Sequence, residues 1–329
     1  MHRNRSARGA RGNWLALSAL IVMLLTLLLL LLWAPTSTEA TVAADQGVGV
    51  MEPAPPPAPE PAGAPPAPPS APTPEPVAPP PPASPKLSVP ILMYHVIAPG
   101  PNNLYVPPAE LDAHLAYLAR EGYQTVTLQQ LHAHFQHGDN LPERPVALTF
   151  DDGYADFYTA ALPLLQKHGM VGTLFVITGK VGQPGYITWQ QAQAISAAGM
   201  EIGSHTVTHP DLRYLDPRRL RAELGDSRLL LEERLGVSVR FFAYPAGRYS
   251  DQTLALMPEL YWGAVTTHPG VATPCQDVQQ WRRIRVGPRL SGEALGRLIE
   301  HWERETKPER CQPKAPAPPR KPGPRGPHP

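Results

Sequence analysis

Two short runs in this sequence, TFDDG and HTVTH, contain the side chains best suited to chemistry. The first run places two adjacent carboxylates, Asp151 and Asp152, directly after an apolar stretch. The second contains two imidazoles, those of His205 and His209, separated by three residues. One carboxylate and two imidazoles can bind a divalent metal ion, and the remaining carboxylate can act as a base. This combination is typical of a hydrolase in which metal-activated water attacks a carbonyl group.

The spacing of these residues also predicts their geometry. His205 and His209 share one face only if the chain forms a helical turn after Ser204, because on an extended strand they would lie about 13 Å apart. Asp151 and Asp152 point in opposite directions on an extended backbone, so one can bind the metal while the other faces the attacking water. The alternatives are two histidines in a polar loop and an ordinary Asp-Asp-Gly turn. A buried strand, however, should not end in two carboxylates without a partner.

Short β-rich runs alternate with runs of helical periodicity between about residues 86 and 306. Strands are predicted at Val89–His95, Tyr123–Val126, Val146–Phe150, Thr173–Ile177, Met200–Gly203, Val239–Tyr244, Gly263–Thr267 and Ile284–Gly287. Helices are predicted at Pro108–Arg120, Leu128–His137, Phe157–Lys167, Trp189–Ala198, Pro217–Leu235 and Ser291–Trp302. Repeated β-then-α units favour parallel strands surrounded by helices, in a barrel or, less tightly, an open α/β sheet.

The chemistry-bearing residues follow predicted strands. The Asp pair, the His pair, Tyr244–Pro245 and His95 each come just after one. In a β/α barrel the carboxyl ends of all strands meet on one face. We therefore expect these four segments to converge on one cleft.

The first part of the chain predicts a membrane anchor. Residues 14–33 are apolar and uncharged, and twenty helical residues span about 30 Å, the thickness of a bilayer core. Arginines precede this stretch, and no Lys or Arg follows it before Lys86. Residues 1–13 should therefore be cytoplasmic and the rest exported, giving a single-pass inner (cytoplasmic) membrane protein with a periplasmic or extracellular catalytic domain. The alternative is a cleaved signal peptide, whose apolar region is usually about 7–15 residues long.

The remaining segments divide the chain further. Residues 34–85 are rich in Pro and Ala and should form a disordered, extended linker. Residues 307–329 should form a disordered, basic, Pro-rich tail, which leaves residues 86–306 as one domain. The net charge of +1 does not predict nucleic-acid binding. The two cysteines, Cys275 and Cys311, could form a disulfide in an oxidising compartment or remain free thiols.

The runs TFDDG and HTVTH resemble the first two signature motifs of the polysaccharide deacetylases, carbohydrate esterase family 4. The general pattern is similar from about Val89 to Val286. The resemblance implies a distorted (β/α)7 barrel and a general base, Asp151. It also implies a divalent metal bound by Asp152, His205 and His209. Zinc suits such a ligand set, although other ions are tolerated.

The third motif of the family is usually Arg-x-Pro-Tyr, and Ala243-Tyr244-Pro245-Ala246 stands in its place here. The resemblance assigns Tyr244 and Pro245 to substrate binding. It assigns the backbone N–H of Ala246 to the stabilisation of the oxyanion, and a backbone donor survives substitution of the side chain. The acidic fourth motif is not recognisable.

The fifth motif, Leu-x-His, supplies the general acid in most members, but Arg283-Ile284-Arg285-Val286 stands near its expected place. Arg283 is predicted to orient Asp151 in place of the lost arginine.

A different histidine is the candidate acid. Met93-Tyr94-His95 resembles a motif of the exported poly-β-1,6-N-acetylglucosamine deacetylases, a subgroup in which the domain is circularly permuted. The resemblance implies that His95 is the general acid, and the alternative is a structural histidine that closes a strand. His268 is a second candidate acid. Other histidines are predicted on helix surfaces, namely His114, His132, His134 and His137.

These expectations define an enzyme that removes N-acetyl groups from an N-acetylglucosamine-containing polysaccharide of the cell envelope or extracellular space. Its partners would be that polysaccharide and, through the N-terminal helix, the membrane. One alternative is an esterase that removes O-acetyl groups from a xylan-type glycan. An alternative of another class is a non-catalytic glycan-binding protein of the envelope.

Overall fold

The computed structural model describes residues 88–306. The predicted anchor, linker and tail lie outside the described residues, as does Cys311. Within residues 88–306, no helix is both long and apolar enough to cross a membrane. Cys275 is disulfide-bonded rather than a free thiol.

Within residues 88–306, eight parallel strands form a sheet, and seven of them close into a ring. The ring runs β1-β8-β7-β6-β5-β4-β3 and closes because β1 pairs with both β8 and β3. β2 stays outside the ring and pairs with the start of β3. The strands are β1 (Ile91–Tyr94), β2 (Gln124–Thr125), β3 (Pro145–Phe150), β4 (Thr173–Val176), β5 (Glu201–Ser204), β6 (Phe241–Ala243), β7 (Gly263–Pro269) and β8 (Trp281–Arg285). The predicted seven-stranded barrel is confirmed.

Seven α-helices occur in the described residues: α1 (Pro108–Arg120), α2 (Leu128–His137), α3 (Leu162–Lys167), α4 (Trp189–Ala197), α5 (Pro217–Leu235), α6 (Asp251–Leu260) and α7 (Gly292–Thr306). The bounds predicted for α1 and α5 are confirmed, and α6 was not predicted. The single helix predicted at Phe157–Lys167 was wrong in detail, because its first turn, Phe157–Ala161, is a π-helix.

Side chains along each strand point alternately into two different buried layers. Even-numbered residues such as Leu92, Leu148 and Phe242 belong to the larger cluster, which includes the helices. Odd-numbered residues form the barrel interior, namely Ile91, Ala147, Phe175, Phe241, Ala243, Val265 and Trp281. Gly203 is required in this interior because an added Cβ would lie 2.4 Å from the Phe175 ring.

The two ends of the barrel differ. At the amino end, the Glu201 carboxylate accepts hydrogen bonds from the Leu128 N–H and the Thr173 hydroxyl, so α2 is fixed across the opening. At the carboxyl end, the inward-facing register leads to Asp151 after β3 and to His205 after β5. The chemistry-bearing residues are therefore at the open end.

Candidate active site

The two adjacent carboxylates diverge at the end of β3. Asp151 still belongs to the strand ladder, since its N–H donates to Tyr94 O at 3.0 Å. Asp152 then adopts a left-handed backbone (φ 78°), followed by Gly153 (φ 77°), so the chain turns away sharply. Asp151 faces Arg283, whereas Asp152 faces the two histidines. The two carboxylates therefore face different partners, and their roles as base and metal ligand stay predictions.

Asp152, His205 and His209 form a group that can hold a metal ion. Their ligand atoms all lie within 4.8 Å of one another. Asp152 Oδ1 is 3.4 Å from His205 Nε2 and 3.6 Å from His209 Nε2. Tetrahedral zinc with bonds of about 2.0–2.1 Å separates its ligand atoms by about 3.3 Å, so these distances fit a zinc-sized ion.

The protonation of this group also suits a metal. His205 Nδ1 is 2.6 Å from Ala243 O, and because a carbonyl only accepts, Nδ1 carries the hydrogen and Nε2 is left for the ion. Burial alone would raise the pKa of Asp152. In the metal-free protein the hydrogen bond and charge of a protonated His205 outweigh burial and lower the pKa of Asp152, so the carboxylate is ionised. A bound ion would take the place of the His205 Nε2 proton.

The helical turn predicted for the His pair was wrong. Residues 205–209 contain no helix, and the two rings meet through an irregular loop with their centroids 4.9 Å apart. Thr206 (φ 69°) and His209 (φ 60°) are both left-handed. Such conformations are costly for a β-branched residue and persist only where the surroundings fix them.

Arg283 lies inside the barrel with no exposed surface and forms a two-pronged ion pair with Asp151. Both nitrogen–oxygen distances are 2.7 Å. Its Nε donates to Thr266 O at 2.8 Å, so the guanidinium is fixed from both sides. Burial would raise the pKa of Asp151, but the adjacent Arg283 charge holds it far below its usual range. Asp151 is therefore a carboxylate at any physiological pH.

His95 lies beside the same carboxylate. Its Nε2 is 3.8 Å from Asp151 Oδ2, and its side chain is 11% exposed. Burial lowers the pKa of His95, and the negative charges of Asp151 and Asp152 only partly offset that effect. His95, which directly follows β1, thus lies beside the same carboxylate that pairs with Arg283.

The segment after β6 is arranged differently from the sequence expectation. The Tyr244 side chain is fully buried in the layer between strands and helices, and its hydroxyl donates to Gln279 O at 2.9 Å. Pro245 is also buried. Their side chains stabilise the strand end, and the assignment of Tyr244 and Pro245 to substrate binding stays a prediction. Ala246 is exposed and left-handed (φ 50°) at this end of the barrel.

Two further residues, which were not predicted, lie at the metal group or at the loop that carries its histidines. Tyr154 lies near Asp152 and stacks on Tyr186, with ring centroids 5.1 Å apart. Glu223 of α5 binds the loop between the two histidines. A sequence signal for Glu223 exists, because it interrupts the buried stripe of Leu220, Leu224 and Leu231 with a carboxylate.

Comparison with known proteins is consistent with this geometry. The family model described as "Polysaccharide deacetylase" matches residues 138–262. A Bacillus subtilis (strain 168) relative named "Putative polysaccharide deacetylase YxkH" is 38% identical over 214 residues, which cover 65% of this chain and 76% of the relative. The chain belongs to the polysaccharide deacetylase family, whose members are hydrolases that act on N-acetyl groups.

Two further proteins are similar, one in its solved structure and the other over a shorter part of the chain. The Streptococcus pyogenes deacetylase PplD, solved in complex with acetate, aligns with a TM-score of 0.63 and 34% identity, covering 65% of this chain and 98% of that one. The poly-beta-1,6-N-acetyl-D-glucosamine N-deacetylase of Escherichia coli (strain K12) is 32% identical over 112 residues. That match covers 29% of this chain and 17% of the relative.

Proposed function

We propose that this protein removes N-acetyl groups from an N-acetylglucosamine-containing polysaccharide of the cell envelope or extracellular space. The observation that carries the proposal is the juxtaposition of the group Asp152, His205 and His209 with a carboxylate held between Arg283 and His95. The similarity to a poly-beta-1,6-N-acetyl-D-glucosamine N-deacetylase supports the substrate class.

A divalent ion held by Asp152, His205 and His209, with zinc the best fit, would polarise the acetyl carbonyl and acidify a water molecule. Asp151 accepts the proton of that water as its oxygen bonds to the carbonyl carbon. Arg283 keeps Asp151 ionised and oriented for this step. The N–H of Ala246 donates to the oxygen on which negative charge develops.

His95 supplies the second proton transfer. The carbon–nitrogen bond breaks as His95 donates a proton to the departing nitrogen, because an amide anion is a very poor leaving group. The products are acetate and a free amino sugar. Because His95 Nε2 lies 3.8 Å from Asp151 Oδ2, the proton that Asp151 takes from water can pass to His95 and from there to the departing nitrogen.

Acetate release by the purified full chain tests the proposal. We expect release from N-acetylglucosamine oligomers, loss with a chelator, and recovery on addition of zinc. Asp151→Asn should lower turnover by about 10²–10⁴-fold while zinc binding is retained. His301→Gln, on the exposed surface of α7, is the matched control for His95→Gln, which should lose about as much as Asp151→Asn.

The rivals give different results in this assay. Faster release from acetylated xylan, with little effect of His95→Gln, would favour the O-acetyl esterase, because an ester leaving group needs less protonation. Zinc binding without acetate release from any acetylated glycan would favour a non-catalytic binding protein.

The proposal also includes attachment to the membrane through residues 14–33, with residues 34–85 as the spacer and the domain outside the cytoplasm. The apolar, uncharged sequence of residues 14–33 supports it. We expect the full chain to sediment with membranes after a high-salt wash and a chain lacking residues 1–33 to remain in the supernatant. Equal behaviour of the two chains would exclude the anchor.

A further inference from the structure

The loop between His205 and His209 contains strained backbone. It contains left-handed backbone at Thr206 and at His209, neither of which is glycine. Two side-chain hydrogen bonds lie within it: the His209 N–H donates to the Thr206 hydroxyl at 2.9 Å, and that hydroxyl donates to His205 O. The Thr206 carbonyl accepts from Thr178 N at 3.1 Å. The Val207 carbonyl also accepts from Gly179 N at 2.9 Å. Further contacts must fix the N–H groups on the other side of the loop.

Glu223 provides those contacts. Its Oε2 accepts from the N–H of Val207 at 2.9 Å and from the N–H of Thr208 at 2.8 Å. Its Oε1 accepts from the Thr208 hydroxyl at 2.5 Å. The Glu223 residue is 6% exposed, so solvent cannot easily replace these bonds. One buried carboxylate thus binds three donors of the two residues between Thr206 and His209.

The helix that carries Glu223 is itself fixed to the strand that carries the first ligand. Ser227, one turn after Glu223, has its hydroxyl 2.6 Å from that of Ser204, the last residue of β5. Ser227 and Glu223 lie on one face of α5. Ser227 therefore fixes the strand end before His205, and Glu223 fixes the residues before His209.

We propose that Glu223 is a positioning residue that sets the metal affinity of the site by fixing the loop between His205 and His209. The inference rests on the metal site of the proposed function but not on its substrate. Groups that orient metal ligands through hydrogen bonds typically change metal affinity by about 10–100-fold when removed. Glu223 acts through two backbone N–H groups, so it fixes the separation of the ligands rather than the orientation of one ring.

Zinc affinity of the purified full chain, measured by competition with a chromophoric chelator, tests the proposal. We expect Glu223→Ala to weaken zinc binding by about 10–100-fold. Glu223→Gln should keep it within a few fold of the unsubstituted chain. Its amide oxygen can accept from both backbone N–H groups, and its amide nitrogen can donate to the Thr208 hydroxyl. Glu233→Ala, on the exposed side of the same helix, is the matched control and should leave zinc affinity unchanged.

Thermal unfolding of the zinc-free chains separates positioning from a general loss of fold. Unchanged zinc affinity in Glu223→Ala would overturn the proposal. The proposal would also be overturned if Glu223→Ala and Glu223→Gln weakened zinc binding equally and lowered the stability of the zinc-free protein equally. If Glu223→Ala does not fold, Thr208→Val removes only the hydroxyl contact and should weaken zinc binding several-fold, and unchanged affinity there would count against the proposal. Failure of the unsubstituted chain to bind zinc would instead refute the metal site itself.

Discussion

At the residue scale, the pair formed by Asp151 and Arg283 combines electrostatics with position. Both side chains are buried, and the paired charges are fixed by further hydrogen bonds to Thr149 and Thr266. A buried ion pair gives little net stability over an apolar pair of the same shape, but breaking it leaves an uncompensated charge. This pair therefore keeps a reactive carboxylate ionised at a place where burial would otherwise neutralise it.

Substitution of Arg283 should show how much an uncompensated charge at Asp151 destabilises the fold. We expect Arg283→Met to lower the free energy of unfolding by about 3–5 kcal/mol, since it leaves the Asp151 carboxylate buried without a counter-ion. Urea unfolding with chelator present measures the effect without any contribution from a metal. Arg282→Met is the matched control, because Arg282 is the exposed neighbour of Arg283 on the same strand.

A double variant isolates the pair itself. In Asp151→Asn combined with Arg283→Met, the buried charge is gone, so the total loss should be smaller than the sum of the two single losses. Strictly additive losses would show that the two charges do not interact in the folded protein.

At the element scale, helix ends were predictable because their signals are local. Asp216, Pro217 and Gly236 mark both ends of α5, and the Asp216 side chain indeed accepts from the first backbone N–H groups. The helix α6 was missed, although Ser250 and Thr253 form a capping box at its start, because Pro258 lies inside it. Its proline interrupts the periodic signal on which a sequence-based prediction depends.

Long-range features could not be predicted in the same way. β8 begins at Trp281 rather than Ile284, because its inward-facing Arg283 interrupts the apolar pattern and pairs with a residue 132 positions away. The surface position predicted for His114 was wrong, since its ring is buried and donates to Leu290 O at 2.6 Å. Asp151 is far in sequence from Arg283, and Leu290 is far from His114. These contacts therefore become visible only in the folded barrel.

The Asp and His residues of the metal group were identified from the sequence because they sit within two compact motifs. Their supports were not, because Glu223 belongs to a helix and Ala243 contributes only its carbonyl oxygen. A residue that acts through its backbone cannot be recognised from its side-chain type. For the same reason the left-handed conformations at Thr206 and His209 could not be predicted.

The buried Glu201 at the amino end of the barrel should make the stability of the fold depend on pH. Burial raises the pKa of Glu201, against hydrogen bonds from Thr173 and from the N-terminus of α2, so the folded protein binds this proton more tightly than the unfolded chain. The stabilisation from that proton is full below the unfolded pKa of about 4.3 and is lost as pH rises through the raised folded pKa.

Glu201→Gln removes this dependence, because an amide does not ionise. We expect the stability of the variant relative to the unsubstituted chain to increase between pH 4 and pH 7.5, by up to about 1.4 kcal/mol for each unit by which folding raises the pKa of Glu201. Urea unfolding of zinc-free protein at the two pH values measures it, with Glu233→Gln as the exposed control. A constant difference between variant and parent across this range would contradict the assignment.

At the scale of the whole molecule, the metal group connects loops after β3 and β5, so an ion should stabilise the folded chain as a unit. Free zinc at one hundred times its dissociation constant contributes about 2.7 kcal/mol, which for a domain of this size is a Tm increase of roughly 5–10 °C. Asp152→Ala should abolish most of this increase, whereas Asp112→Ala, on a surface helix, should retain it. Calorimetry with and without zinc measures both, and an undiminished increase in Asp152→Ala would place the ion elsewhere.

The pairing of β1 with β8 has a consequence for the order in which the protein matures. β1 is the first strand made by the ribosome and β8 the last, so the ring cannot close until almost the entire domain has been synthesised. Because β8 also brings the guanidinium that charges Asp151, a nascent or truncated chain lacks both the closing strand and the counter-ion. The ring and the Asp151–Arg283 pair therefore form together, after β8 has been synthesised.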